Sequence, residues 1–219
     1  MIHVQKFIFN LFLENCYVIS DSTGECVIMD PGCSSVAEKE KLFSYIDSEK
    51  LTPKAVLLTH AHLDHIFGVK DCVARYGVEV MMDPREKQIT EQFNPSLSAL
   101  RFPVPESFEF TPIADGDIIH FGKTSLRVLS TPGHSPGGVC YWSEEYMLIF
   151  TGDTLFRGCI GRTDNNFASY DNLIASIRGT LMQLDGRITV HPGHSGETSI
   201  ATERQTNPFI FEEDEPFQE

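Results

Sequence analysis

Nowhere in this 219-residue sequence do apolar residues run for the roughly 18 positions a membrane-spanning helix needs, which excludes a helical membrane protein. Basic residues are scarce. The 17 Lys and Arg face 31 Asp and Glu, giving a formal net charge of −14. That balance excludes nucleic acid, whose phosphates need a basic face, and docking on anionic membrane surfaces. The six cysteines (Cys16, Cys26, Cys33, Cys72, Cys140 and Cys159) form no C-x-x-C pair, which excludes a zinc ribbon. The opening "MIHVQKFIFNLFLENCYVISD" has no basic n-region, no continuous apolar stretch and no small-residue cleavage site, so it does not read as a secretory signal. Free, reduced thiols and a cytoplasmic location are therefore expected. A Gly-x-Ser-x-Gly elbow and a Cys–His nucleophile arrangement are missing as well, so no side chain stands out as a covalent nucleophile.

What is present suits one large globular domain: 41% hydrophobic and 22% charged residues are ordinary usage. We expect that domain over residues 1–211, with the acidic "EEDEPFQE" of 212–219 disordered. Short β-rich runs predict strands at 3–10, 15–21 and 25–30. Helical apolar spacing predicts helices over 34–50 and 64–77, and a proline at the first position opens another over 84–93. Buried strands are expected at 54–60 and 78–83. From Asn94 to Asp115 the pattern breaks into a Pro- and Ser-rich stretch, either a functional lid or a plain surface connection. Strands resume at 117–122, 125–134, 137–143, 147–153 and 187–194, with helices at 169–184 and 199–207. Two such α/β series predict an αββα four-layer sandwich, with mixed sheets inside and helices outside.

The polar residues gather at predicted strand ends. "LLTHAHLDHIFG" places His60 and His62 on alternate positions just past a buried strand, with Asp64 and His65 at the turn that follows. His134, Asp153 and His194 each end another strand, and "PGHS" occurs at both 132–135 and 192–195. In each of those turns proline fixes φ and glycine permits a sharp bend that aims the histidine. Imidazoles and carboxylates together suit zinc, iron or manganese, and the lack of cysteine among them removes the bias toward a structural zinc. The set is too large for one tetrahedral ion and sufficient for two, with one carboxylate shared. Two ions roughly 3.5–4 Å apart are a common hydrolytic arrangement, supplying an activated water near neutral pH. His3 and His120 sit in strands without such partners and read as core or edge histidines. His191 does not follow a Pro-Gly bend and is set aside as a ligand.

The motifs "THAHLDH", "TPGHSPGG", "FTGD" and "PGHS" resemble those of the metallo-β-lactamase superfamily across most of the chain. "TGDTLF", "IGRTD" and the late "NPF" sharpen the likeness to short glyoxalase II-like hydrolases. The resemblance implies His60, His62 and His134 on one metal, and Asp64, His65 and His194 on a second. Asp153 then bridges the two together with a hydroxide that acts as nucleophile. Asp64 and Asp153 are the carboxylates it implies for catalysis, and Asp30 in "MDPG" is either a supporting residue or a plain turn aspartate. The residues after His194 are too few for the helical glutathione-gripping domain of full-length glyoxalase II, and "PGHSGE" replaces the family's "PGHGP". Weak binding of glutathione is expected from both departures.

The expected cofactors are two divalent ions, zinc first, with iron or manganese as alternatives. The expected partner is a small-molecule thioester, S-D-lactoylglutathione being the first candidate. A thiolate, with a pKa around 8.5, departs without a strong general acid, whereas an amide nitrogen does not. Arg157 and Arg162 either meet a substrate carboxylate or are ordinary loop charges. The competing readings are a mononuclear iron persulfide dioxygenase and a non-enzymatic metal-binding module.

Overall fold

The computed structural model describes residues 1–91 and 107–210. Their strands form two six-stranded sheets. In the first, β1 (Ile2–Phe9), β2 (Glu14–Asp21) and β3 (Glu25–Met29) run antiparallel. Next, β4 (Thr52–Leu57), β5 (Glu79–Met82) and β6 (Thr111–Pro112) continue it in parallel. The second sheet contains β7 (Ile118–Phe121), β8 (Thr124–Ser130), β9 (Val139–Ser143) and β10 (Leu148–Gly152) as an antiparallel meander. A small hairpin follows, β11 (Leu155–Phe156) with β12 (Cys159–Ile160). Then β13 (Thr189–Pro192) joins β10 in parallel, and β14 (Thr198–Ser199) closes the edge.

Strand periodicity explains the layers. In β2 every residue is buried, because successive side chains enter two different cores. Tyr17 and Ile19 point between the sheets, where Leu57, Val128, Tyr141 and Phe150 meet them. Cys16 and Val18 point the other way, onto Leu42 and Ile46 of α1 (Val36–Ser48) and Val69 and Cys72 of α3 (Val69–Tyr76). The second sheet's outer face carries Cys140, Ile149 and Val190 against Leu173 and Ile177 of α5 (Tyr170–Gly179) and Ile200 of α6 (Ile200–Thr206). Three cores separate four layers, so the αββα sandwich is present. No helix of the described residues is long and apolar enough to cross a membrane.

Three expectations need correction. The helix expected over 64–77 is two helices, α2 (Leu63–Ile66) and α3, broken around Gly68. There the Gly68 N–H donates to Pro31 O at 2.7 Å, and a Cβ on Gly68 would run into Cys33 Sγ. The helix expected over 169–184 stops at Gly179 and finishes as a 3₁₀ turn at Leu181–Gln183. The one expected over 84–93 begins as a 3₁₀ turn, Pro84–Glu86, before α4 (Lys87–Thr90). Of the 94–115 stretch, the described part is not a cover over the strand ends. It supplies the edge strand β6, and the Asp115 carboxylate accepts from Ser130 N at 2.8 Å. Residues 94–106 and the 212–219 tail lie outside the described residues.

Candidate metal centre

The strands that carry the polar residues end at one rim of the sandwich. His60 and His62 follow β4, Asp64 and His65 sit in α2, Asp153 follows β10, and His194 follows β13. His134 reaches the same rim from the turn after β8. Two triads result, His60/His62/His134 and Asp64/His65/His194, in each of which the nearest ligand atoms lie within 4.8 Å of one another. Asp153 stands between them. Its Oδ2 is 3.5 Å from both His134 Nε2 and His194 Nε2, and its Oδ1 is 3.4 Å from His65 Nε2. All seven residues singled out from the sequence are thus brought together, with Asp64 Oδ2 at 3.3 Å from His194 Nε2.

Second partners set the orientation of the rings. His134 Nδ1 pairs with Arg162 O at 2.7 Å, His194 Nδ1 with Phe12 O at 3.0 Å, and His65 Nδ1 with Asp30 Oδ2 at 3.1 Å. Each bond leaves Nε2 facing the centre, which is how outer partners fix a ligating tautomer. Asp30 also accepts from Thr59 N and Thr59 Oγ1, at 2.8 and 2.6 Å, so it is a support for His65 and for the turn before His60. Its backbone is left-handed, φ +46, a conformation that aspartate tolerates.

The electrostatics separate the triads. Burial, together with the neighbouring histidines, pushes His60 well below its usual range, and burial with His134 brings His62 down to about 4. Burial would lower His65 too, but Asp153 and Asp64 raise it well above normal. His60 Nε2, His65 Nε2 and Asp153 Oδ1 are buried without a hydrogen-bond partner among the described residues. Buried lone pairs left this way are costly unless something satisfies them. Three converging nitrogen and oxygen donors of this kind fit divalent cations.

Other expected residues fall differently. His191 turns away, stacked on Phe150 with its Nδ1 3.2 Å from Glu197. Arg162 pairs with Asp164 at 2.8 Å and contributes its carbonyl to His134. Both line a cavity of about 460 Å³ over the triads, together with Phe12, Phe156 and Asn165. Arg157 is exposed and does not line that cavity. A larger cavity, about 920 Å³, lies beside α3 and residues 107–111, but no histidine or cysteine faces it.

Several supporting residues were not read from the sequence. The Glu86 carboxylate, fully buried, accepts from Ala61 N at 2.7 Å and Gly137 N at 2.6 Å, tying the two loops of the first triad together. Asn15 Nδ2 donates to Pro192 O and Ser195 O, and Tyr17 Oη to Pro192 O, holding the turn that carries His194. The carboxyl of Glu14, also fully buried, is pushed up by burial. Only an asparagine or glutamate in an ordinary context marks these positions, so nothing in the local pattern distinguishes them.

The family model for the metallo-beta-lactamase superfamily matches residues 10–198. Hydroxyacylglutathione hydrolase GloC of Haemophilus influenzae is 35% identical over 203 residues, covering 91% of this chain and 93% of that protein. Among solved structures, the B3 metallo-beta-lactamase BLEG-1 superposes with a TM-score of 0.86 at 32% identity, over 95% of this chain and 99% of that one. TTHA1623 in a di-iron-bound form gives 0.83 at 35% identity, over 94% and 100%. By sequence, fold and the position of its ligand triads, the chain belongs to the metallo-beta-lactamase superfamily.

Proposed function

We propose that the protein is a metal-dependent hydrolase of small-molecule thioesters, with S-D-lactoylglutathione as the first candidate substrate. The observation that carries this reading is the pair of triads sharing Asp153 at the floor of one cavity. His60, His62 and His134 would hold one divalent ion, Asp64, His65 and His194 a second, and Asp153 would reach both. When bound, such a pair supplies an activated water and polarises an acyl oxygen. Zinc is the first candidate, and the di-iron-bound relative supports iron as the alternative.

The chain's own residues favour a thioester over an amide. Apart from the candidate ligands, the cavity is lined by Phe12, Phe156, Arg162, Asp164 and Asn165. Asp164 is the one carboxylate among these, and its hydrogen bond with the Arg162 guanidinium holds it below the usual range, so it is ionised. No acid is therefore placed to protonate a departing nitrogen, whereas a thiolate needs none. Phe12 and Phe156 offer apolar walls, with Phe156 edge-on to His194 at 5.8 Å. Arg162, neutralised by Asp164, gives only weak purchase on a substrate carboxylate. The name of the Haemophilus relative supports a hydroxyacyl thioester of glutathione, and the absence of a basic cavity wall supports a high KM for it.

The test offers lactoylglutathione, other acyl thioesters, glutathione persulfide and a β-lactam to one preparation. Metal-dependent thiol release without oxygen uptake is the expected result. Oxygen consumption with the persulfide and no thioester cleavage would overturn the reading in favour of a mononuclear iron dioxygenase. Metal binding with no turnover of any of them would leave a non-enzymatic module.

A further inference from the structure

The turn between β1 and β2, residues 10–13, exposes three apolar side chains: Leu11, Phe12 and Leu13. Its base is nevertheless held by a dense set of polar bonds, all through Asn10. The Asn10 side-chain amide donates to Asp64 O and to Gly32 O, both at 2.9 Å. Its Oδ1 accepts from Phe12 N at 2.9 Å, and its own backbone N–H donates to Glu38 Oε1 at 2.7 Å. Asn10 adopts φ +50, the left-handed region that asparagine enters more readily than most residues. Phe12 then uses its carbonyl to accept from His194 Nδ1.

A continuous path results: Asp64 main chain, Asn10 side chain, Phe12 main chain, His194 ring. Both ends are members of the same triad. The first triad has different supports, Thr59 for His60, the Arg162 carbonyl for His134 and Glu86 for the loops between. None of these passes through the β1–β2 turn.

We propose that Asn10 is a positioning residue for the second metal position, and that this turn is ordered by occupancy of that position alone. The inference rests on the two-ion reading above. Its physical basis is that Asn10 sets where the Asp64 backbone lies and where the Phe12 carbonyl lies, and the latter fixes which His194 nitrogen faces the centre. By linkage, whatever the turn contributes to the second ion's affinity the ion returns to the turn.

The test compares wild type with Asn10→Gly and Asn10→Asp. Glycine keeps the left-handed backbone and deletes every side-chain bond. Aspartate keeps the acceptor for Phe12 N but cannot donate to Asp64 O or Gly32 O. Metal-depleted protein is titrated with zinc against a chromophoric chelator, and the first and second binding constants are read separately. Both variants should bind the first zinc within about twofold of wild type and the second about 10- to 100-fold more weakly, the usual cost of losing an outer partner. Amide hydrogen exchange of wild type supplies an arm that needs no variant: residues 11–13 should gain protection with the second equivalent of zinc and not with the first. A wild-type stoichiometry of one would overturn the two-ion reading and this proposal with it. Two ions in wild type with an unchanged second constant in both variants would overturn this proposal alone. Equal weakening of both constants, or protection of 11–13 by the first equivalent, would overturn it too.

Discussion

Glu86 shows how a single side chain can organise a centre it does not enter. Burial pushes its pKa up, and the amides of Ala61 and Gly137 pull it back. Replacing Glu86 with alanine orphans both N–H groups, each costing about 1–3 kcal/mol. Glu86→Ala should therefore lower the unfolding free energy by several kcal/mol in urea titrations of metal-depleted protein. Glu86→Gln should fall between, since its NH₂ must face one of the two donors. Stability within about 0.5 kcal/mol of wild type for both variants would remove this role, because that is the scatter of neutral surface changes. The seven candidate ligands were legible from sequence because each closes a strand, and two follow a Pro-Gly bend. Glu86 and Asn10 were not, since each acts on backbone groups far away, 51 residues on at Gly137 and 54 on at Asp64. No local pattern encodes a bond of that span.

At the scale of elements, α1 is the best-marked helix. Ser35 caps it and Glu38 completes the capping box while also receiving Asn10 N. Burial would raise the Glu38 pKa, but hydrogen bonds from Ser35, Asn10 and Ser34 hold it below normal. A depressed folded value means the unfolded chain takes up the proton first. The stabilisation is complete above the unfolded value of about 4.3 and is lost as pH falls through the folded one. Glu38→Ala should thus cost about 1 kcal/mol at pH 7, and the gap from wild type should narrow below pH of about 4. Urea unfolding at both pH values measures it, and a gap that widens on acidification would contradict it. The break between α2 and α3 makes a second prediction. Gly68→Ala meets Cys33 Sγ and Pro31 O, and overpacking there should cost about 1–3 kcal/mol, read in the same titration. Apolar periodicity predicted one helix here because the spacing continues across the break. What interrupts it is a close approach of the Pro31–Cys33 turn, a tertiary fact. The short strands β6, β11, β12 and β14 escaped for a related reason: two residues carry no period.

At the scale of the molecule, the layered burial separates the thiols. All six cysteines are free, five buried and only Cys159 exposed. Burial raises Cys26 and Cys33 to about 12 and Cys140 to about 11. A thiol reagent without added reductant should label one cysteine quickly in native protein and six after denaturation. Fewer than six would mean a disulfide and contradict the expected reducing compartment. The sandwich itself was legible because alternation and helix spacing both survive in the sequence, while the pairing order of the sheets was not. The rim where β4, β10 and β13 end is what that order creates, and it turns scattered motifs into one centre. The central claim is that this centre holds two ions with Asp153 between them. Elemental analysis of protein purified without added metal tests it most directly, for wild type and for Asp153→Ala. We predict two divalent ions per chain in wild type and loss of metal in the variant; one ion per wild-type chain, or two retained without the Asp153 carboxylate, would contradict it.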